Sequence, residues 1–373
     1  MRIAPFLLSF FACCAAIPAQ SQMLRLYVGT YTSDKSEGIY LFNFDPATGT
    51  ATPGGVTSGV SNPSYLTLSK DGKNLYAVNE NGGKEPGSIS AFSVNPSDGK
   101  LTFLNKLPSG GDYPCYITAS DNRKWVIAAN YGGGSLVAYP LLIDGSLADK
   151  QQLIQHTGKG TNPDRQEGPH VHSTTITPDG RYVLVCDLGL DKIFTYKFNS
   201  EADQTALSAA NPPFAATAPG DGPRHIAFHP NGRWFFEMGE MSGKVSSWQY
   251  KKGKMTMLQS VDAHTPQYSG DRGSADIHVS PDGKFVYASN RYASNNIAII
   301  SIDPKTGMMT NAGFQDLKVK KPRNFVIDPS GKYLLVAGQE SGGIEVFERN
   351  AETGQLTSKG IIDVPNPVCL KFF

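Results

Sequence analysis

The chain has 373 residues, with 34 Lys and Arg against 33 Asp and Glu, long enough for two or three average domains or one large all-β unit. The balanced charge leaves no basic stripe for nucleic acid or an anionic membrane, which favours a small molecule or another protein as partner. Thirty-nine Gly and 25 Pro, scattered among 16 Tyr and 19 Phe, suit many short strands and tight turns better than long helices.

The N-terminal stretch MRIAPFLLSFFACCAAIPAQS has one early arginine, an apolar run of about ten residues and then small residues, the layout of a secretory signal peptide. Residues 1–21 are therefore expected to be removed on export to the periplasm or outside, leaving a domain from 22 to 373. The lipoprotein alternative through Cys13 has Phe10 rather than Leu three residues earlier, a poor lipobox. If the signal reading fails, the protein is cytoplasmic. No stretch is long enough for a transmembrane helix. The remaining Cys115, Cys186 and Cys369 fit neither a disulfide framework nor a zinc knuckle.

From residue 62 onward a pattern recurs. NPSYLTLSKDGKNLYAVNE, YPCYITASDNRKWVIAANY, HVHSTTITPDGRYVLVCDL, GPRHIAFHPNGRWFFEMGE, GSADIHVSPDGKFVYASNR and KPRNFVIDPSGKYLLVAGQ start at 62, 113, 170, 222, 273 and 321. Each holds an alternating strand, a turn and a more continuously apolar strand, and a third strand follows (SISAFSVN, SLVAYPL, KIFTYKF, KVSSWQY, NIAIISID, GIEVFER). A fourth segment follows in several repeats. Four strands every 45 to 57 residues predict an all-β fold, a β-propeller. The C-terminal NPVCLKFF (366–373) matches the first strand, and RLYVGTYT and GIYLFNFD, within 25–45, match the second and third. A seven-bladed propeller closed by the last strand pairing with the N-terminal strands is expected, with no exposed inner edge.

In such a blade the first strand begins on the face where the second ends. One rim of the channel should then collect Ser64, Cys115, His172, Arg224, Ala275, Arg323 and Val368 with Tyr31, Glu80, Tyr131, Leu188, Glu240, Arg291 and Gln339. Three arginines, two glutamates and a histidine in a concave mouth suit a small-molecule site. A competing reading is that they only pair with one another around a wet channel. Guanidinium forks hold carboxylates or phosphates, and a glutamate or histidine can activate water. Without a G-x-S-x-G elbow or a Cys-His nucleophile pattern, direct attack of water on a reactive carbonyl, such as that of a lactone, fits best. His170 and His172, two apart on a strand, could share a metal. No third ligand is identifiable, and no metal or cofactor is expected. Asp276 and His278 repeat that spacing and read as packing. His225 and His229, four apart on a strand, are too distant for one ion.

The stretches GKGTNPDRQEGPHVHSTTITPDG, GDGPRHIAFHPNG, ADIHVSPDGKFVYASNR and PRNFVIDPSGKYLL resemble the seven-bladed lactonase family. That family includes propeller-type 6-phosphogluconolactonases and the fungal 3-carboxy-cis,cis-muconate lactonizing enzymes. The resemblance covers about residues 25 to 373, and its most specific part is the RQ…H-x-H segment preceding GPRH. It implies seven blades, lactone opening without a required cofactor, and a site of His, Arg, Glu and Arg. These fall on His170 or His172, on Arg224, on Glu240 and on Arg291. MGEM at 238–241 departs from the family's NEL-like stretch but keeps Glu240. Arg323, Glu80, Tyr131, Arg165 and Gln339 are expected to contact substrate, an anionic or sugar lactone, in a monomer. The rival functions are a non-catalytic YVTN-type binding propeller and a muconate-type cycloisomerase.

Overall fold

The computed structural model describes residues 22–33 and 35–373; the signal peptide expected over 1–21, with Cys13, lies outside them. Each PDG-like turn has a short polar side chain that pins the loop. The Ser69, Thr177 and Ser280 hydroxyls bond Asp71, Asp179 and Asp282, whose carboxylates accept the backbone N–H two residues on. The next position needs a left-handed backbone, supplied by Gly72, Gly180, Gly232, Gly283 and Gly331 at no steric cost. In the second repeat Arg123 takes that conformation (φ 59). Its guanidinium reaches Asp71 at 3.0 Å and Asn74 Oδ1 at 3.0 Å, contacts that offset part of a strain of roughly 1–2 kcal/mol.

These turns fold the described residues into 28 strands arranged as seven four-stranded antiparallel sheets. Blades 1 to 6 follow the six repeats in order. Blade 7 is composite: Pro367–Phe372 pairs with Leu24–Thr30, which pairs with Gly38–Asp45 and then Thr50–Ser58. Arg25 and Phe373 exchange two backbone hydrogen bonds of 2.8 Å, so the closure is a regular ladder. The C-terminal strand pairs as the sequence predicts.

The second strand of every blade is sandwiched between neighbouring sheets. Asn74–Asn79, Trp125–Asn130, Trp234–Gly239, Phe285–Asn290 and Tyr333–Gly338 are buried at every residue. Between blades 2 and 3, Trp125, Ile127 and Ala129 pack against Val183, Val185, Tyr196 and Phe198; each large side chain contributes about 1.5–3 kcal/mol. Outermost strands such as Lys254–Asp262 alternate towards solvent. Among the described residues no helix is long and apolar enough to cross a membrane.

Candidate active site at the channel mouth

A repeated irregularity builds the rim. In six blades the ladder between first and second strands slips by at least one residue near its start: Pro114↔Asn130 is followed by Tyr116↔Ala129, Val171↔Asp187 by Ser173↔Cys186, and Pro223↔Gly239 by His225↔Met238. Blades 5, 6 and 7 do the same. Such a bulge releases a residue from the ladder and re-aims its side chain. Those residues are Cys115, His172, Arg224, Ala275, Arg323 and Val368, the rim set read from the repeat. The period revealed the positions, and the bulge is the physical reason their side chains gather there.

Glu240, one residue past the end of Trp234–Gly239, is the centre of the site. Its Oε2 accepts Arg224 Nε at 2.9 Å and lies 3.1 Å from Arg291 Nη2 and 3.6 Å from His172 Nε2; its Oε1 accepts Arg165 Nη2 at 2.7 Å. Arg224 is fixed behind it by Ala275 O at 2.8 Å, and Arg291 by Gly273 O at 2.7 Å and Ser274 O at 3.2 Å. All except Arg165 are buried.

Burial alone would raise the Glu240 pKa, but Arg291, Arg224, His172 and Arg165 outweigh it and hold the carboxyl well below the usual carboxylate range. Burial, followed by the positive field of Arg224, pushes His172 well below the usual imidazole range. Burial and the neighbouring Arg323 and Arg291 lower Arg224 to about 10. At neutral pH the cluster is thus one carboxylate, one neutral imidazole and three guanidinium groups. The excess positive charge suits an anion or a developing oxyanion.

Glu80 forms a second, looser cluster. It accepts hydrogen bonds from Ser64 and from Tyr31 at 3.0 Å, and Arg323 Nη2 lies 3.6 Å away with its guanidinium over the Tyr31 ring. Tyr131 bridges the two histidines, stacked on His170 at 4.5 Å and edge-on to His172 at 5.3 Å, and its hydroxyl accepts Arg165 at 3.2 Å.

The histidines do not share a strand face as the spacing suggested. His172 occupies the bulge, whereas His170 precedes the strand Val171–Ile176. Both His170 ring nitrogens face oxygen acceptors, Tyr131 O at 3.0 Å and Glu167 Oε1 at 3.1 Å. Only His172 reaches Glu240. Gln339 has no ion-pair or hydrogen-bond link to the Glu240 cluster, and its buried Oε1 has no partner among the described residues. Among the described residues no three His, Cys, Asp or Glu side chains are grouped to hold a metal ion.

A cavity of about 700 Å³ opens over Glu240, between the loops that enter blades 3, 4 and 5. Besides Glu240 and Arg165 its walls include Thr161, Asn162, Asp271, Arg272 and Tyr292. All but Tyr292, which directly follows the rim residue Arg291, lie on loops between blades, where periodicity carries no information. A second miss had a readable signal. Immediately after the rim positions come Tyr65, Tyr116, Ser173, His225, Asp276, Asn324 and Cys369, a second ring of polar or sulfur-bearing side chains. In it Asp276 is a hub rather than ordinary packing. It accepts hydrogen bonds from His225 Nδ1 at 2.7 Å, His278 Nε2 at 3.0 Å and Asn324. His225 is pushed down to about 3 by burial and Arg224, and its ring lies against Arg224 from below. His229 bonds Gly283 O instead, so the two histidines of GPRHIAFH share no ligand.

A seven-bladed propeller whose channel mouth holds an arginine-clamped glutamate beneath a polar cavity has the architecture of a hydrolytic propeller enzyme. The sequence profile described as "Lactonase, 7-bladed beta-propeller" matches residues 25–372, and the chain belongs to this family of lactone-hydrolysing carboxylic ester hydrolases. It is 36% identical over 349 residues to a 6-phosphogluconolactonase of Bacillus subtilis, covering 93% of this chain and 97% of that one. A Bacteroides fragilis structure provisionally assigned as a 6-phosphogluconolactonase superposes with a TM-score of 0.91 at 41% identity, covering 96% of this chain and all of the other. The periplasmic gluconolactonase of Pseudomonas aeruginosa gives 0.89 at 35% identity, covering 94% and 99%.

Proposed function

We propose that this protein hydrolyses a sugar-derived lactone by direct attack of water, with Glu240 as general base. The observation that carries this reading is the convergence of Arg165, Arg224 and Arg291 on one buried carboxylate at the cavity floor. In the resting site the clamp keeps Glu240 ionised but weakly basic. As the carbonyl oxygen gains charge it competes for the guanidinium donors. Losing part of its clamp, Glu240 becomes a stronger base as the proton of water arrives. The water oxygen bonds to the carbonyl carbon, the ring C–O bond breaks, and the proton on Glu240 passes to the ring oxygen. The product is the open hydroxy acid.

Neutral His172 orients the attacking water beside Glu240. Arg323, Glu80 and Tyr131, on the same rim but outside the cavity walls, contact the part of the substrate that reaches into the channel, and its hydroxyls suit Thr161, Asn162 and Asp271 on the cavity wall. All these groups come from one chain, so the proposed site is complete within a monomer. Residues 1–21 direct export, in keeping with the periplasmic location named for the Pseudomonas relative. Mass spectrometry of the protein from its native envelope tests this, because an intact N-terminus would refute it.

The decisive assay follows proton release from gluconolactone and 6-phosphogluconolactone above the spontaneous rate. Replacing a general base costs typically ~100- to 10,000-fold, and Glu240→Gln should fall in that range with the fold retained. An unchanged rate would remove Glu240 from the chemistry.

A further inference from the structure

Arg165 is the member of the Glu240 cluster farthest from any strand: His172 and Arg224 lie within one, and Glu240 and Arg291 directly follow one. It sits on the loop between blades 2 and 3 with its side chain 42% exposed, yet its guanidinium spans Glu240 and Tyr131. A long side chain on a loop has about 2 kcal/mol of rotamer entropy to lose. Something must fix the loop beneath it.

The next residue does so. Gln166 is 1% exposed and uses both ends of its amide. Oε1 accepts the backbone N–H of Thr161 and of Asn162, each at 3.0 Å, while Nε2 donates to Leu188 O at 2.9 Å and to Asp191 Oδ1 at 2.8 Å. Its backbone N–H bonds Asn162 O at 2.8 Å, and its carbonyl accepts Gly160 N–H at 2.9 Å. The loop wraps so closely that a Cβ on Gly160 would lie 2.6 Å from Gln166 Cδ.

Asp191 carries the anchor further. It ends the short 3₁₀ turn Leu188–Leu190 in a left-handed conformation (φ 53), and it accepts Gly222 N–H at 2.9 Å and Gly220 N–H at 2.7 Å. One buried pair thus ties the Thr161–Arg165 wall of the cavity to the Gly220 wall. Blade 3 is the blade whose rim position is the apolar Leu188. It supplies a carbonyl and an aspartate that hold two loops where other blades supply a Tyr, Glu, Arg or Gln side chain.

We propose that Gln166, backed by Asp191, is the positioning residue for Arg165: it sets the loop so that the guanidinium meets Glu240 and Tyr131 over the cavity floor. Only an amide meets this demand, because the group must accept two N–H bonds and donate towards a carboxylate. A glutamate at 166 would face Asp191 with like charge. The inference rests on the proposed role of Arg165 in the lactonase site.

A double-mutant cycle on the full chain tests it. The measured quantities are kcat/KM for gluconolactone and the melting temperature, for wild type, Gln166→Met, Arg165→Met and the double variant. Gln166→Met is expected to lower kcat/KM by about 10-fold, and by less than about 2-fold when Arg165 is already absent, since coupled residues are not additive. An equal loss in both backgrounds, or none, would overturn the positioning role. An Arg165→Met variant with wild-type kcat/KM would instead overturn the reading of Arg165 on which the inference rests. If Gln166→Met does not fold, Asp191→Asn weakens the same anchor from behind and must show the same dependence on Arg165.

Discussion

Blade 4 buries two glutamates three residues apart, Glu237 at 0% exposure within Trp234–Gly239 and Glu240 at 5% just beyond it. They stand at one strand end with a similar degree of burial, and their chemistry is opposite. Glu240 faces the channel mouth and meets three guanidinium groups. Among the described residues Glu237 pairs with no cation, and the polar groups beside its carboxyl are the Ser246 hydroxyl and the Trp248 indole. Burial first, then the negative charge of Asp221 and Asp191, push its pKa well above the usual carboxylate range, and nearby Ser246 and Trp248 offset only part of this. The rim glutamate is therefore held towards its ionised form and the interior one towards its protonated form. Desolvation is common to both, so the partners decide the charge state.

The largest expected effect follows from removing the charged member of the pair. Glu240→Gln should lower kcat/KM by ~100- to 10,000-fold. Glu240→Ala should also destabilise the fold by about 3–5 kcal/mol, because it leaves Arg224 buried without its counter-charge; denaturant titration measures this. The pH dependence sharpens the contrast. Glu240 has a depressed pKa, so its stabilising contribution is present above the unfolded carboxylate value near ~4.3 and is lost only as pH falls through the lower folded value. His172 is already neutral through the same range. The kcat/KM profile of the free enzyme should be flat between about pH 5 and 7, with no inflection at the ordinary histidine value near ~6.5. A controlling ionisation near 6.5 that vanishes in His172→Gln would show that the imidazole is charged in the resting enzyme.

Glu80 stands between the extremes. It accepts two hydroxyls and has a single arginine at 3.6 Å, and it lies off the cavity that opens over Glu240. Glu80→Gln keeps the shape and most of the hydrogen bonding. A loss of about 10-fold or less in kcat/KM is expected, with the change mainly in KM, as befits a contact made equally in ground and transition states. A loss as large as that of Glu240→Gln would mean that the proton-transfer role has been given to the wrong rim carboxylate.

How much of this was legible in the sequence depends on whether a residue belongs to the repeat. The seven blades, the composite closure and the rim positions of His172, Arg224, Glu240, Arg291 and Arg323 all follow from register within one unit, which recurrence makes visible. Gln166 and the walls formed by Thr161, Asn162 and Asp271 lie on connections between blades that differ from one blade to the next, so no second copy marks them, whereas Asp191 and Tyr292 sit on the recurring turn after the second strand, Asp191 where Gly134, Gly243, Asn295 and Gly342 stand in other blades. The choice between His170 and His172 required the bulge at Val171/Ser173, a one-residue slip that spacing alone does not reveal. Glu237 had a signal that could have been read. Its position in the second strand is Val28, Ala77, Ala128, Val185, Ala288 or Val336 in the other blades, and a glutamate there breaks an apolar column. Nothing in the structure explains why a glutamate occupies it.

That anomaly gives the smallest effect on catalysis and the cleanest test of the comparison. Glu237→Gln preserves shape and removes a proton-binding site that belongs neither to the cavity wall nor to the Glu240 cluster, so kcat/KM should stay within about 2-fold of wild type. Stability should rise at neutral pH. The folded pKa of Glu237 lies above its unfolded value, so the native state holds a proton that the unfolded chain releases once pH exceeds the ordinary glutamate value near ~4.3. The contribution of the neutral carboxyl is fully present below that pH and shrinks as pH rises towards the folded pKa. Wild type and Glu237→Gln should therefore melt at similar temperatures near pH 4 and diverge steadily towards pH 7, with the variant higher by a few degrees. If the two melting curves run parallel across that range, Glu237 is ionised inside the fold. Its counter-charge would then have to be sought between blades 3 and 4, where Asp191 and Asp221 add only negative charge.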